Sequence, residues 1–101
     1  MAAFRAELER RFGGRVRAVT LFGSRARGDA EPDSDVDVLV VIDGLTEDER
    51  GAAVDLAFDV RRAEGGGPLL SPLVWSEAQW LARLHAERRI AIDIARDGIV
   101  F

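Results

Sequence analysis

Cysteine and lysine are both absent from this 101-residue chain, and histidine occurs once. Without cysteine there is no disulfide and no thiolate metal site, and a reducing, cytoplasmic compartment is the natural expectation. Without lysine, no ammonium group can clamp a phosphate or act as a nucleophile; all 14 basic side chains are arginine, a uniformity that reads as genomic composition bias. Long apolar runs are missing too. The longest covers residues 38–42, far short of the ~20 residues that span a bilayer, and the N-terminal stretch MAAFRAELERRFGG is too charged for a secretory signal. A basic excess is also lacking. The net charge is −4, from 14 basic and 18 acidic groups, which argues against a dedicated nucleic-acid binder while leaving room for a small basic pocket. No repeat, low-complexity tract or linker interrupts the chain; the only soft stretch is Gly65-Gly66-Gly67-Pro68, a loop.

What is present is the balance of an ordinary globule, 48% hydrophobic and 32% charged, at a length that fits one domain over residues 1–101. Phe4, Leu8 and Phe12 recur at helical spacing on a charged background and predict a short helix ended by Gly13-Gly14. Residues 16–22 read as a strand. Residues 35–42 read as a second strand, apolar on both faces past its start and therefore central in its sheet. Thr46 with Glu49 forms a capping-box sequence opening a helix to about Ala63. Residues 69–75 predict a third strand, with Pro72 marking an edge or a bulge. A second capping box, Ser76 with Gln79, opens a helix running to about Arg96, with Trp80, Leu84 and Ile92 partly inward. Asp97-Gly98 closes it, and residues 99–101 form a short extended tail. The order predicts a small α/β layer: a sheet with helices packed on it.

The chemistry concentrates in residues 22–37. Gly23, directly after a strand, permits a tight turn and a close approach of ligand to backbone. Ser24 follows with a hydroxyl and an N–H suited to phosphate, and Arg25 and Arg27 can add planar charged donors. Asp35 and Asp37 stand two apart on the next strand, so both carboxylates project to one face, Cα atoms roughly 6–7 Å apart. Magnesium takes one or two carboxylates plus substrate phosphates, and this set supplies them. Taken singly, a Gly-Ser is usually a turn and an Asp-x-Asp a solvated rim. Together, with two acids heading a buried strand that would be costly unless paired, they point to a nucleotide–metal site.

This segment resembles the DNA polymerase beta-like nucleotidyltransferase superfamily, and most of all its minimal nucleotidyltransferase branch. The family pattern of Gly-Ser, ten residues, Asp-x-Asp stands here undistorted as Gly23-Ser24, residues 25–34, then Asp35-Val36-Asp37. The resemblance implies a mixed sheet with flanking helices over the whole chain. It implies that Gly23 and Ser24 hold the phosphates and that Asp35 and Asp37 ligate Mg²⁺. The implied reaction moves a nucleoside monophosphate from a triphosphate, such as ATP, to a hydroxyl. It further implies a partner: such domains often act as the antitoxin of an all-helical HEPN-type toxin, some of them adenylylating a toxin tyrosine. Active members usually carry a third carboxylate on the following strand, and residues 69–75 contain none. Glu77 lies just beyond, in a helix cap, and Asp55 and Asp59 sit on the preceding helix in solvated or capping positions. Two readings stay open: an enzyme in which another group substitutes, and a binding module that neutralises its partner by contact. A domain this small leaves its nucleotide half exposed, which favours a partner or self-association to complete the site. Small-molecule modification is the weakest alternative, since such enzymes are larger. Elsewhere, His85 reads as a surface residue, Trp75 and Trp80 as core or partner contacts, and Arg83, Arg88, Arg89 and Arg96 as a solvated helix face or docking surface.

Overall fold

A computed structural model of the chain describes residues 2–23, 28, 35–66, 69–86 and 88–101. Its elements are α1 (Ala2–Phe12), a 3₁₀ turn (Gly13–Arg15), β1 (Val16–Phe22), β2 (Val36–Ile42), α2 (Glu47–Ala63), β3 (Leu70–Ser76), α3 (Glu77–His85), α4 (Arg89–Asp97) and β4 (Ile99–Val100). The strands form one mixed sheet in the order β3-β2-β1-β4. β1 is antiparallel to both β2 and β4, while β2 and β3 are parallel, joined by α2 as the crossover. The expected sheet with flanking helices is therefore found.

Alternation along β2 explains the layering. Val38, Val40 and Ile42 point to one face and pack with Phe4, Leu8 and Phe12 of α1 and Ala53, Ala57 and Val60 of α2. Leu39 and Val41 point to the other face and meet Trp75 of β3 and Ile94 of α4. β2 is buried on both sides, as its apolar run predicted, because it is an interior strand covered by two helical layers. Each fully buried Phe or Leu side chain contributes about 1.5–3 kcal/mol.

β3 lies at the sheet's edge, as Pro72 suggested. The bond from Val36 N–H to the Leu69 carbonyl (2.8 Å) directs the odd-numbered residues of β3 toward β2. Pro72, which has no N–H, therefore faces outward, and the Arg50 side chain donates to the outward Val74 carbonyl at 3.1 Å. The two together blunt an edge that would otherwise invite another strand.

Both capping boxes form: Glu49 N–H donates to Thr46 Oγ1 and Gln79 N–H to Ser76 Oγ, each with the reciprocal bond. The last helix differs from expectation. A single helix to Arg96 is replaced by two, with Arg88 extended between them (φ −66°, ψ 130°). Seven-residue strands give a sheet ~23 Å long, whereas one continuous helix would run ~30 Å. Breaking it lets α3 pack on β3 and α4 cross to β1. The break also rotates the inward face: Ala91 and Ile94 are buried, and Ile92 is exposed.

Candidate nucleotide site

The site is built where β1 ends and β2 begins. Phe22 pairs with Asp37 across the antiparallel ladder, so the residue after Phe22 must turn over the Asp37 side chain. That residue is Gly23, at φ +76°, and a Cβ placed on it would lie 2.5 Å from Asp37 Oδ2. Two independent constraints thus demand glycine: a left-handed backbone and the space taken by a carboxylate oxygen. The missing Cβ lets the turn close directly against that oxygen, a backbone cradle around the carboxylate. Asp37 is half-buried within β2, and Asp35, one residue ahead of the strand, is exposed. Ser24 and Arg25, the other two expected phosphate contacts, and Arg27 lie outside the described residues.

Asp37 lies on the sheet face covered by α3 and α4. On β3 the residues opposite Asp37 and Leu39 are Ser71 and Leu73, so the described part of this face offers no third carboxylate from the neighbouring strand. Glu77 does not substitute: it pairs with Arg17 (3.6 Å), which also meets Asp43. Asp55 is exposed, and Asp59 pairs with Arg62 on α2. Among the described residues, no three His, Cys, Asp or Glu side chains converge as a metal cluster. The fit to magnesium rests on the Asp37 cradle and the nearby Asp35, a two-carboxylate set that leaves the remaining positions to phosphates and water.

Sequence reasoning assigned no site role to Asp93 and Asp97, yet α4 carries both to the Gly23 turn. A cavity of about 190 Å³ there is lined by Phe22, Gly23, Ile90, Asp93, Ile94 and Asp97. Their i, i+4 spacing was the available signal, legible only once α4 is known to cross to β1. Asp93 is held by Arg89 (3.3 Å) and Arg96 (3.2 Å), and Arg96 also pairs with Asp97 (3.1 Å). The hydrogen bond to Asp97, with both carboxylates' charge, raises the Arg96 pKa above its ordinary value.

Of the remaining arginines, Arg88, Arg89 and Arg96 are exposed, as a solvated face requires, and Arg83 is half-buried. Arg83 lies 4.5 Å over the Trp75 ring, and Arg89 and Arg96 form surface ion pairs. Trp75 is buried and stacks on Trp80 (5.9 Å between centroids, 28° between planes), which makes both packing residues. His85 is exposed, as expected.

A family model described as nucleotidyltransferase domain matches residues 1–68. The chain belongs to the nucleotidyltransferase domain family. The match covers α1, β1, the Gly23 turn, β2 and α2, and ends before β3. Over 40 residues this nucleotidyltransferase domain is 52% identical to the protein adenylyltransferase MntA of Thermococcus cleftensis, a stretch that spans 40% of this chain and 38% of that protein. Three solved structures share the fold. A toxin–antitoxin with AMP-PNP is 19% identical over 96% of this chain and 68% of its own, with a TM-score of 0.55. A putative nucleotidyltransferase from Sulfolobus solfataricus is 24% identical over 97% and 72%, TM-score 0.54. The toxin–antitoxin MntA-HpeT, in a mutant form, is 16% identical over 95% and 68%, TM-score 0.54. No helix among the described residues is long and apolar enough to cross a membrane.

Proposed function

We propose that this domain is a Mg²⁺-dependent nucleotidyltransferase of the cytoplasm that adenylylates a tyrosine hydroxyl on a HEPN-type toxin and so acts as its antitoxin. The observation that carries the reading is the Gly23 turn seated against Asp37, a cradle beside a carboxylate in a family that transfers nucleotides. The likeness to protein adenylyltransferase MntA and to toxin–antitoxin structures supports the choice of a protein acceptor.

Each group then has a defined task. The Gly23 backbone and Ser24 receive the triphosphate, with the Arg25 guanidinium on its outer oxygens. Asp35 and Asp37 hold the metal, which when bound stabilises charge at the transferring phosphorus. The acceptor oxygen forms a bond to the α-phosphorus as the bond to the bridging oxygen breaks. Pyrophosphate leaves and the hydroxyl proton passes to water. Half-burial of Asp37 lowers the local dielectric around the developing charge.

A second reading has its own observation. Ser71 and Leu73 occupy the β3 positions facing the site, which favours a contact antitoxin that retains the fold without turnover. One experiment separates the two. The protein and its co-encoded neighbour are incubated with Mg²⁺ and α-labelled ATP, alongside Asp35→Ala and Asp37→Ala. Label on the neighbour that disappears with the variants establishes the enzyme. An unlabelled but intact complex establishes the contact antitoxin.

A further inference from the structure

The cavity between the Gly23 turn and α4 has a lining unlike that of a phosphate site. Phe22, Ile90 and Ile94 give it apolar walls, and Asp93 and Asp97 give it hydrogen-bond acceptors. Gly23 lines it and also abuts Asp37, so the cavity and the Asp37 carboxylate flank the same residue. Its volume, about 190 Å³, is below the ~300–1,000 Å³ of a site enclosing a whole drug-sized ligand. It fits part of a nucleotide.

We infer that this cavity receives the nucleoside half of the triphosphate, with ribose hydroxyls donating to Asp93 and Asp97 and the base lying against Ile90 and Ile94. The inference rests on the nucleotide reading above. Its chemistry follows from the ion pairs. Arg89 and Arg96 pair with Asp93, and Arg96 also pairs with Asp97, so the two carboxylates repel a neighbouring triphosphate less than bare acids would. A carboxylate has about four lone-pair sites, so an ion pair does not by itself use up its acceptor capacity, and next to its phosphates a nucleotide presents sugar hydroxyls, which carboxylates bind well.

Calorimetry on the full chain tests this with two probes, Mg·ATP and Mg·tripolyphosphate, the second lacking the nucleoside. The variants are Asp93→Ala, which removes an acceptor, and Ile90→Trp, which fills the cavity from an exposed position. Wild type should bind ATP more tightly than tripolyphosphate. Each variant should weaken ATP roughly tenfold, the loss of one charged hydrogen bond or its equivalent, and leave tripolyphosphate within about twofold. Retained tripolyphosphate binding also shows that the variants fold. Equal wild-type affinity for the two probes overturns the inference, as does unchanged ATP affinity in both variants. In either case the nucleotide reading survives if Asp37→Ala loses both probes. Wild type binding neither probe overturns both readings.

Discussion

The two faces of the sheet are built to different standards. Under α1 and α2, Phe4, Leu8, Val38, Val40 and Ile42 are sealed from solvent, and the polar groups stay at the rim. Under α3 and α4 the buried set shrinks to Leu39, Val41, Trp75 and Ile94, and carboxylates and arginines share the space. Close packing on one side holds β2 in place. The smaller core on the other leaves Asp37 half-buried near the start of a strand held from behind. The first face supplies the larger core and the second the proposed site, and the two roles are separable because alternation along β2 assigns successive residues to opposite sides.

Substitutions should break that division in graded steps. The largest stability effect belongs to the sealed face. Phe4→Ala empties a fully buried position and should cost about 3–5 kcal/mol, a large share of a small domain's stability, read as a drop in denaturant midpoint with an unchanged slope. Next is the hinge of the open face. Gly98 has an ordinary backbone, but a Cβ there would sit 2.4 Å from the Ile94 carbonyl and 2.5 Å from Thr20 Cγ2. Gly98→Ala should therefore cost about 1–3 kcal/mol by overpacking and push α4 and β4 away from β1. Loss of amide-exchange protection confined to residues 89–101 would show it.

Gly23→Ala should cost less in stability, about 1–2 kcal/mol for the left-handed backbone, because the turn lies outside both cores. Its effect on Mg·ATP binding should be out of proportion to that, since the methyl group occupies the cradle beside Asp37. Calorimetry showing wild-type affinity in a folded Gly23→Ala protein would remove the cradle from the argument.

The smallest effect concerns pH. Arg15 grips Glu49 with two bonds of 2.7 Å and also reaches the Asp43 and Gly44 carbonyls, tying the 3₁₀ turn ahead of β1 to the start of α2. That grip, with the Thr46 N–H, pulls the Glu49 pKa from an ordinary 4.5 down to about 2. A carboxylate depressed by folding stabilises the fold above its unfolded pKa and loses that contribution as pH falls through the folded one. Acid titration from pH 4.5 to 2 should thus weaken wild type more steeply than Glu49→Gln. Parallel curves would mean that exposure to water cancels the pair.

Local signals were the legible ones. β1, both capping boxes, the double-sided burial of β2 and the edge position of β3 follow from neighbours in the chain: alternation, a Ser or Thr three residues before Glu or Gln, a proline in a strand. The Gly23–Asp37 contact was only half legible. The motif names both residues, but their fit depends on the register that sets Phe22 opposite Asp37. The interrupted last helix and the acids it brings to the site were not legible, since nothing in residues 77–97 states how long the sheet is or that α4 must reach β1.

By itself the sequence determined which residues are apolar at which period, where helices start, and that glycine and carboxylates flank one turn. These are properties of short segments, governed by side-chain alternation, hydrogen-bond capping and backbone sterics. Only the tertiary structure decided where α4 ends up, why Gly98 has no side chain and what lies beside Gly23. Those depend on distances between segments far apart in the chain, which packing sets and no local pattern encodes.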